Sequence, residues 1–237
     1  MNYNLHTYTP GPVKMFENTL RLGGMQTPYF RNKEFSDVIL ECEKNLLKIA
    51  NAPKNSRVVF LTAAGTAGME STVQNLLNSD DKVLVINGGG FGQRFVDICT
   101  THNIVKIDCK IKNINLSDTS ILDSYKDCSS LLINAHETSV GHLYDLEAVG
   151  KFAKKNEMLN IVDAISMFIT DEIDMIKHNI DALIISSHKG LALPPGLSMV
   201  ILSPKAINKI NPKHQLYFDF NSYLNDGRRG QTPFTPA

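Results

Sequence analysis

The sequence has no excess of charge of either sign. Its 237 residues include 24 Lys and Arg against 24 Asp and Glu, so the formal net charge at pH 7 is zero. This balance does not provide the basic surface expected of a protein that binds nucleic acid or an anionic membrane. No apolar run approaches the roughly 18–20 residues that span a bilayer, and the first residues lack the basic end and apolar centre of a signal peptide. We therefore expect neither a nucleic-acid partner nor a membrane partner.

Cysteine is scarce and scattered. The four cysteines are Cys42, Cys99, Cys109 and Cys128, and no two of them have CxxC spacing. This spacing argues against a zinc or iron–sulfur site, so we expect no metal, and a chain of this length does not need a disulfide framework. We expect reduced cysteines and a cytoplasmic location.

The sequence also lacks internal repeats, low-complexity tracts and a Gly/Ser linker, while 43% of its residues are hydrophobic and 20% are charged. This composition is close to that of soluble globular proteins and argues against general disorder. After about residue 55, short runs of Val, Ile and Leu alternate with amphipathic stretches, which predicts an α/β fold with a mostly parallel seven-stranded sheet and helices on both faces. The predicted strands are residues 58–61, 83–86, 104–107, 131–133, 159–162, 183–185 and 199–202. The predicted helices are residues 69–77, 92–101, 146–155 and 205–210.

The two ends of the chain have different patterns. Residues 8–12 read Tyr-Thr-Pro-Gly-Pro, which predicts an irregular loop because two prolines and a glycine oppose regular hydrogen bonding. Apolar residues between Phe35 and Leu47 recur at helical spacing and predict one amphipathic helix that packs on the sheet. The tail from Tyr217 to Ala237 is rich in Asn, Gly, Pro and aromatics, which makes it a poor ending for an independently folded domain.

Ligands of a parallel α/β sheet bind at the carboxyl ends of its strands, so the residues that follow each strand are the candidates. Residues 62–68 are small and lead into a helix, where backbone N–H groups and the Thr66 hydroxyl can bind an anion. Tight strand–helix packing is an equal alternative there, and the spacing is neither Walker A nor GxGxxG. Residues 87–94 place Phe91 among four glycines, either as a platform for a planar ligand or as a core side chain.

Polar side chains also follow the later strands. Asp163 comes directly after residues 159–162, where an aspartate is often a helix cap or a metal ligand. Lys189 lies between two apolar strands and beside a Pro-Pro-Gly turn, which is hard to explain as solvated surface. A partly desolvated lysine has a lowered pKa and can act as a nucleophile that forms a Schiff base.

These strand ends together supply an anion site, an aromatic platform, a carboxylate and an amine. Pyridoxal phosphate requires this combination: a phosphate site, a ring stack, an acid for the pyridine nitrogen and a Schiff-base lysine. Asp163 precedes Lys189 by 26 residues, which is room for one crossover between strands, so both can face one cleft. The sequence therefore predicts pyridoxal phosphate as the cofactor.

With these motifs in this order, the sequence resembles the class V aminotransferases of fold type I, the group of alanine–glyoxylate, serine–pyruvate and 2-aminoethylphosphonate–pyruvate transaminases. The resemblance runs from residues 8–12 to residues 232–236. It implies a large cofactor-binding domain over residues 26–237, preceded by a loop segment, residues 1–25, that lines the active site. Members of the family continue into a smaller C-terminal domain that covers the cleft and carries the arginine for the substrate carboxylate. That domain is absent from this chain, which is then a fragment or a natural short form.

The resemblance also implies roles for individual residues. Lys189 matches the lysine that forms the Schiff base and moves the substrate proton, and Asp163 matches the aspartate that pairs with the pyridine nitrogen. Phe91 matches the aromatic residue that stacks on the ring, and Thr138 a hydroxyl residue near its O3′ atom. The residues that correspond to the phosphate site are Gly65, Thr66, Ala67, Ser186 and His188.

Two further segments receive roles in the same way. Thr232 and Thr235 resemble the segment that reaches the cofactor phosphate of a neighbouring subunit, which implies a homodimer with shared active sites. The loop around Gly11 corresponds to the substrate entrance and makes Gly11 a substrate-binding candidate.

The resemblance implies a transaminase that moves an amino group from a small amino acid or aminophosphonate donor to a 2-oxo acid such as pyruvate or glyoxylate. A cysteine desulfurase shares the fold and the Ser-x-His-Lys motif, but it requires a mobile cysteine beyond the lysine, and all four cysteines here precede Lys189. A truncated domain that binds pyridoxal phosphate without turnover is the other alternative.

Overall fold

The computed structural model describes residues 8–211 and 215–236, which form a central sheet, a short hairpin and flanking helices. The strands are β1 Arg57–Thr62, β2 Lys82–Asn87, β3 Val105–Lys110, β4 Ser130–Asn134, β5 His136–Glu137, β6 His142–Leu143, β7 Leu159–Asp163, β8 Ala182–Ser186 and β9 Leu197–Leu202. The helices are α1 Glu17–Gly23, α2 Lys33–Ile49, α3 Gly65–Leu76, α4 Gly90–Thr101, α5 Leu146–Lys155, α6 Pro204–Asn208 and α7 Phe220–Gly227, with a 3₁₀ helix at Ser120–Tyr125. No helix in these described ranges is long and apolar enough to cross a membrane.

The seven long strands form one sheet in the order β1-β9-β8-β7-β4-β2-β3, and β5 and β6 form a separate antiparallel hairpin. Neighbouring strands from β8 to β3 are parallel, whereas β9 is antiparallel to both β1 and β8. Six of the seven strands therefore run in one direction, and their carboxyl ends meet at one edge of the sheet. The predicted mostly parallel seven-stranded sheet is confirmed, although the third strand lies at 105–110 rather than at 104–107.

The reversed direction of β9 follows from the short connection before it. Residues 187–196 join β8 to β9, and a link of this length suits antiparallel neighbours because a parallel crossover needs a dozen residues or more. Ser187 closes this loop, since its N–H donates to the Leu197 carbonyl (3.0 Å) and its hydroxyl to the Pro194 carbonyl (2.6 Å). Lys189 therefore lies on a short, internally bonded loop at the edge where the parallel strands end.

Helices cover both faces of the sheet, as predicted. On one face, Leu46 of α2 and Phe152 of α5 pack in a core with strand residues such as Ile133. On the other face, a second core joins Met69 of α3 and Phe95 of α4 to the sheet. Every residue of β4, β7 and β8 is buried, as expected for central strands that are covered on both sides.

The helices α3 and α4 begin earlier than the sequence pattern indicates. The α3 helix begins at Gly65 instead of residue 69, and α4 begins at Gly90 instead of residue 92. The residues after β1 and β2, which the sequence pattern indicates as loops, therefore form the first helical turns of α3 and α4. As a consequence, both helix N-termini point to the edge where the strands end.

Two expectations about the ends of the chain are corrected. Residues 8–16 form no regular element, as predicted, but the loop segment assigned to residues 1–25 contains the helix α1. The tail contains α7, which the composition did not indicate. Asp219 caps α7 by accepting hydrogen bonds from Asn221 and Ser222, and Phe220 is fully buried.

Candidate active site

The amine of Lys189 lies under the N-terminal loop. Its Nζ donates to the carbonyl of Pro10 (3.3 Å), and the N–H of Val13 donates to the carbonyl of His188 (3.3 Å). Gly11 adopts φ +144°, and a Cβ built there would lie 2.8 Å from Nζ of Lys189. The backbone conformation therefore favours glycine at position 11, and any side chain there would have to displace the amine end of Lys189.

Asp163 lies at the end of β7, which pairs with β8, the strand that leads into the loop carrying Lys189. It is 5% exposed, and its Oδ1 accepts a hydrogen bond from the N–H of Ile165 (2.9 Å). Burial raises the pKa of Asp163 to about 6, and the positive charges of Arg94 and Lys189 act in the opposite direction. Burial also lowers the pKa of Lys189, and the charge of Asp163 opposes that shift. The charge of each group therefore affects the pKa of the other, and their facing of one cleft stays a prediction.

The first turn of α3 is open to an anion. Ala64 occupies the N-cap position without a side-chain cap, and the N–H groups of Gly65 and Thr66 have no hydrogen-bond partner among residues 8–211 and 215–236. A Cβ at Gly65 would lie 2.6 Å from Cδ1 of Ile165 and 3.4 Å from Cβ of Ser186. Because Gly65 has no side chain, this turn can approach the ends of β7 and β8 closely. The N–H of Ala67 donates to the carbonyl of Ala64 (2.9 Å) within the turn.

Phe91 lies on the first turn of α4 and is half-buried. The guanidinium carbon of Arg94 lies 4.9 Å from the centroid of the Phe91 ring, and its Nη1 donates to Oγ1 of Thr66 (3.0 Å). The predicted platform and the predicted anion-binding turn are therefore neighbours, joined by an arginine to which the sequence assigned no role.

Glu137 is a second residue that the sequence did not identify. Its fully buried carboxylate accepts hydrogen bonds from the N–H groups of Phe91 (3.2 Å) and Gly92 (2.9 Å), from the N–H and hydroxyl of Ser139, and from the amide of Asn134 (3.1 Å). Burial alone would raise the pKa of Glu137, but these hydrogen bonds outweigh it and the pKa is lowered. Glu137 thus provides the acceptor that α4 lacks at its own N-cap, Gly89.

The remaining strand ends place hydroxyl and imidazole groups beside the cleft. Oγ1 of Thr138, after β4, lies 3.4 Å from Oγ of Ser166, after β7. Oγ of Ser186 lies 2.9 Å from Nδ1 of His188 and donates to the carbonyl of Leu197 (3.1 Å). Burial and the charge of Lys189 both lower the pKa of His188, which favours a neutral ring.

Thr232 and Thr235 make their contacts away from these groups. The hydroxyl of Thr232 donates to the carbonyl of Phe234 (2.6 Å), and its carbonyl accepts from Arg31 (2.8 Å). The carbonyl of Thr235 accepts from the hydroxyl of Thr62 at the end of β1 (3.3 Å). Within one subunit these threonines contact the edge strand and Arg31, just before α2, and their role towards a neighbouring subunit stays a prediction.

The described residues fit pyridoxal phosphate. The uncapped first turn of α3 supplies N–H donors for a phosphate, and the glycine at its start leaves room where a side chain would collide with Ile165. A half-buried primary amine and a buried carboxylate lie at the same edge of the sheet, and they are the groups that the aldehyde and the pyridine nitrogen of this cofactor require. Lys189, Asp163, Phe91 and the α3 turn are the residues that would hold it.

Comparison with known proteins gives a consistent result. Residues 23–217 match the family model Aminotransferase class-V. An uncharacterised aminotransferase of Methanocaldococcus jannaschii is 29% identical over 96% of this chain and 61% of its own length, and the L-aspartate–glyoxylate aminotransferase of Paracoccus denitrificans is 27% identical over 97% and 60%. The crystal structure of a subgroup IV aspartate aminotransferase from Thermus thermophilus superposes with a TM-score of 0.90 at 29% identity, covering 96% of this chain and 65% of that one.

These matches confirm the predicted fold, the large domain of fold type I enzymes. The chain spans about 61% of the length of the M. jannaschii relative. The matched region includes the strand ends that carry Asp163 and Lys189, and it covers well over half of the 237 residues. The chain belongs to the class V aminotransferase family.

Proposed function

We propose that the protein to which this chain belongs is a pyridoxal-phosphate-dependent aminotransferase that moves an amino group from a small amino donor to a 2-oxo acid such as pyruvate or glyoxylate. One observation supports the proposal: Lys189 and Asp163 follow or end neighbouring strands at the edge of the sheet where the uncapped first turn of α3 approaches Ile165 and Ser186. Each of these groups alone has a structural explanation, but their combination matches the cofactor group by group.

Pyridoxal phosphate, when bound, supplies an aldehyde that condenses with a lysine amine and a ring that accepts electrons from the substrate carbon. Burial lowers the pKa of Lys189, so a larger fraction of the amine is neutral and able to act as a nucleophile. With the cofactor bound, Nζ of Lys189 would accept the proton from the carbon that carries the substrate nitrogen and would hold it as an ammonium group until it is returned. Asp163 would accept a hydrogen bond from a protonated ring nitrogen; its buried carboxylate accepts one hydrogen bond from Ile165 and has further acceptor capacity, which supports this role.

The substrate class rests on the relatives. The P. denitrificans relative is named for aspartate and glyoxylate, and the T. thermophilus structure is named an aspartate aminotransferase. We propose a small amino acid or aminophosphonate as donor and a small 2-oxo acid as acceptor. Overall the amino group and the oxo oxygen exchange places between the two substrates, so no oxidant or reductant is consumed.

The active enzyme is proposed to be a homodimer, with Thr232 and Thr235 near the cofactor phosphate of the neighbouring subunit. Exposed apolar side chains support an interface on the N-terminal segment: Phe16, Leu22, Met25 and Tyr29 are each more than half exposed. Exposed apolar patches of this kind are typical of association surfaces. The cytoplasmic location stays a prediction, consistent with four free cysteines.

A cysteine desulfurase is the weaker candidate. Cys99, Cys109 and Cys128 are buried, and Cys42 is exposed on α2. Although Cys42 has solvent-exposed surface, partial desolvation of its thiol by the surrounding protein and the charge of the neighbouring Glu41 raise its pKa, which disfavours the thiolate that such chemistry needs. The arrangement of cysteines therefore favours the aminotransferase.

The test starts from the wild-type protein and a Lys189→Ala variant, each incubated with pyridoxal phosphate, reduced with borohydride and digested. In the wild type we expect the reduced cofactor on Lys189 alone. We also expect its visible absorption to decrease when an amino donor is added and to return with pyruvate or glyoxylate. The Lys189→Ala variant is expected to lose at least about 100-fold in turnover. Labelling at another lysine contradicts the site. Labelling of Lys189 without a response to any donor favours a binding domain without turnover, and persulfide on a cysteine favours the desulfurase.

A further inference from the structure

Arg94 connects two parts of the cleft that come from distant strands. It follows β2, whereas Thr66 follows β1, which lies five positions away in the sheet order. Its Nη1 donates to Oγ1 of Thr66 at 3.0 Å, while its guanidinium carbon lies 4.9 Å from the centroid of the Phe91 ring. One side chain therefore contacts both the anion-binding turn of α3 and the aromatic platform of α4.

We propose that Arg94 is a positioning residue, which fixes the distance and orientation between the phosphate-binding hydroxyl of Thr66 and the ring-stacking face of Phe91. The inference rests on the proposed function, because these two groups are those that would hold the phosphate and the ring of pyridoxal phosphate. Arg94 itself acts through them.

The shape of the arginine side chain suits this role. A guanidinium is planar and carries five N–H donors, so it can stack on a ring and donate in its own plane at the same time. A lysine ammonium is not planar and lacks the several N–H donors that a guanidinium holds in one plane. The position of Phe91 is fixed from its backbone by the Glu137 carboxylate, and the contact of Arg94 with the Phe91 side chain adds a constraint that the backbone hydrogen bonds do not provide.

The charge of Arg94 has a second effect. It opposes the rise in the pKa of Asp163 that burial causes, and so favours the carboxylate that a protonated pyridine nitrogen needs. Replacement by lysine retains most of this charge but loses the stacked plane. Geometry and charge can therefore be separated by two variants of the same residue.

The experiment measures the dissociation constant of pyridoxal phosphate and the visible circular dichroism of the bound cofactor for wild type, Arg94→Ala, Arg94→Lys and Thr66→Val, and for the double variant Arg94→Ala/Thr66→Val. Loss of one charged hydrogen bond and one cation–π contact is expected to weaken cofactor binding about tenfold in Arg94→Ala. The dichroic band is expected to change, Arg94→Lys to be intermediate, and kcat to fall more than the donor KM rises. The double variant is expected to lose less binding free energy than the sum of the two single losses, since part of each loss comes from the shared Arg94–Thr66 hydrogen bond.

Two controls separate positioning from folding. The midpoint of urea unfolding of the cofactor-free Arg94→Ala protein is expected to match that of the wild type, because the Arg94–Thr66 hydrogen bond is exposed. Arg229, an exposed arginine paired with Asp226 on the protein surface, serves as the matched control, and Arg229→Ala is expected to bind the cofactor like the wild type.

The outcomes distinguish this inference from the proposed function. If the wild type does not bind pyridoxal phosphate, the proposed function itself is wrong. If the wild type binds it and Arg94→Ala binds equally well or more tightly with an unchanged dichroic band, the positioning role is refuted. Additive effects in the double variant, or a lowered unfolding midpoint that accounts for the weaker binding, refute it as well.

Discussion

Replacement of Asp163 by asparagine is expected to stabilise the cofactor-free protein at alkaline pH. Burial raises the pKa of Asp163 from 3.8 to about 6, so ionisation of this group lowers the stability of the folded chain. Since one pKa unit corresponds to about 1.4 kcal/mol, the penalty approaches about 3 kcal/mol once both the folded and the unfolded states are ionised. Asparagine keeps the oxygen that accepts from Ile165 and removes the charge.

The pH dependence has a defined sign. Below about pH 4 the carboxyl group is protonated in both states, and wild type and Asp163→Asn are expected to have similar free energies of unfolding. As the pH rises towards and beyond about 6, the Asp163 carboxyl group ionises in the unfolded state before it ionises in the folded state. The free energy of unfolding of the wild type therefore falls relative to that of the variant. The advantage of the variant is therefore expected to appear between pH 4 and 6 and to be full by pH 8.

Urea unfolding of the cofactor-free proteins at pH 4, 6 and 8 measures this effect. The matched control is Asp80→Asn, because Asp80 is exposed and its replacement is expected to change stability by no more than about 0.5 kcal/mol at any of these pH values. With pyridoxal phosphate present the ranking is expected to reverse, since the variant lacks the carboxylate for the ring nitrogen and should bind the cofactor more weakly. Equal free energies of unfolding for wild type and Asp163→Asn at pH 8 would refute the argument that this carboxylate is held in an unfavourable environment.

Two other replacements test neighbouring parts of the structure. Glu137→Gln should lower the free energy of unfolding by about 1–3 kcal/mol, because one of the two carboxylate oxygens that accept from the start of α4 is replaced by a donor. Urea unfolding measures this loss, with the exposed Glu34→Gln as control. Equal losses in both variants would contradict the prediction. Phe220→Ala should cost about 3–5 kcal/mol because the ring is fully buried, and a loss below about 1 kcal/mol in the same assay would show that α7 is not part of the core.

The sequence was sufficient for the parts of the site that depend on strand order. Asp163 ends one buried strand and Lys189 follows another, and parallel strands end at one edge, so their position at the same edge of the sheet could be predicted without coordinates. The predicted bounds of α5, residues 146–155, agree with the structure, in which Asp145 caps the start of the helix.

The sequence was insufficient where a role depends on contacts between distant segments. Glu137 receives hydrogen bonds from residues 46 positions earlier in the chain, and a lone glutamate in a polar stretch does not indicate this. Arg94 was visible beside Phe91, but its contact with Thr66 depends on how α3 and α4 pack. The α7 helix was missed because Asn, Gly and Pro dominate the composition of the tail and obscure the spacing of Phe220, Tyr223 and Leu224.

The position of β1 has a consequence for how the protein is made. Among the strands that the structure describes, β1 pairs with β9 alone, so Arg57 pairs with Leu202 and β1 cannot join the sheet until β9 has been synthesised. Pairing across such a distance along the chain slows folding, because loop-closure entropy is lost before the contact is gained. Until β9 arrives, the apolar strand β1 is an exposed edge that a chaperone can protect. Because Thr66 follows β1 and Lys189 precedes β9, the two halves of the candidate cofactor site meet only when this late pairing is complete.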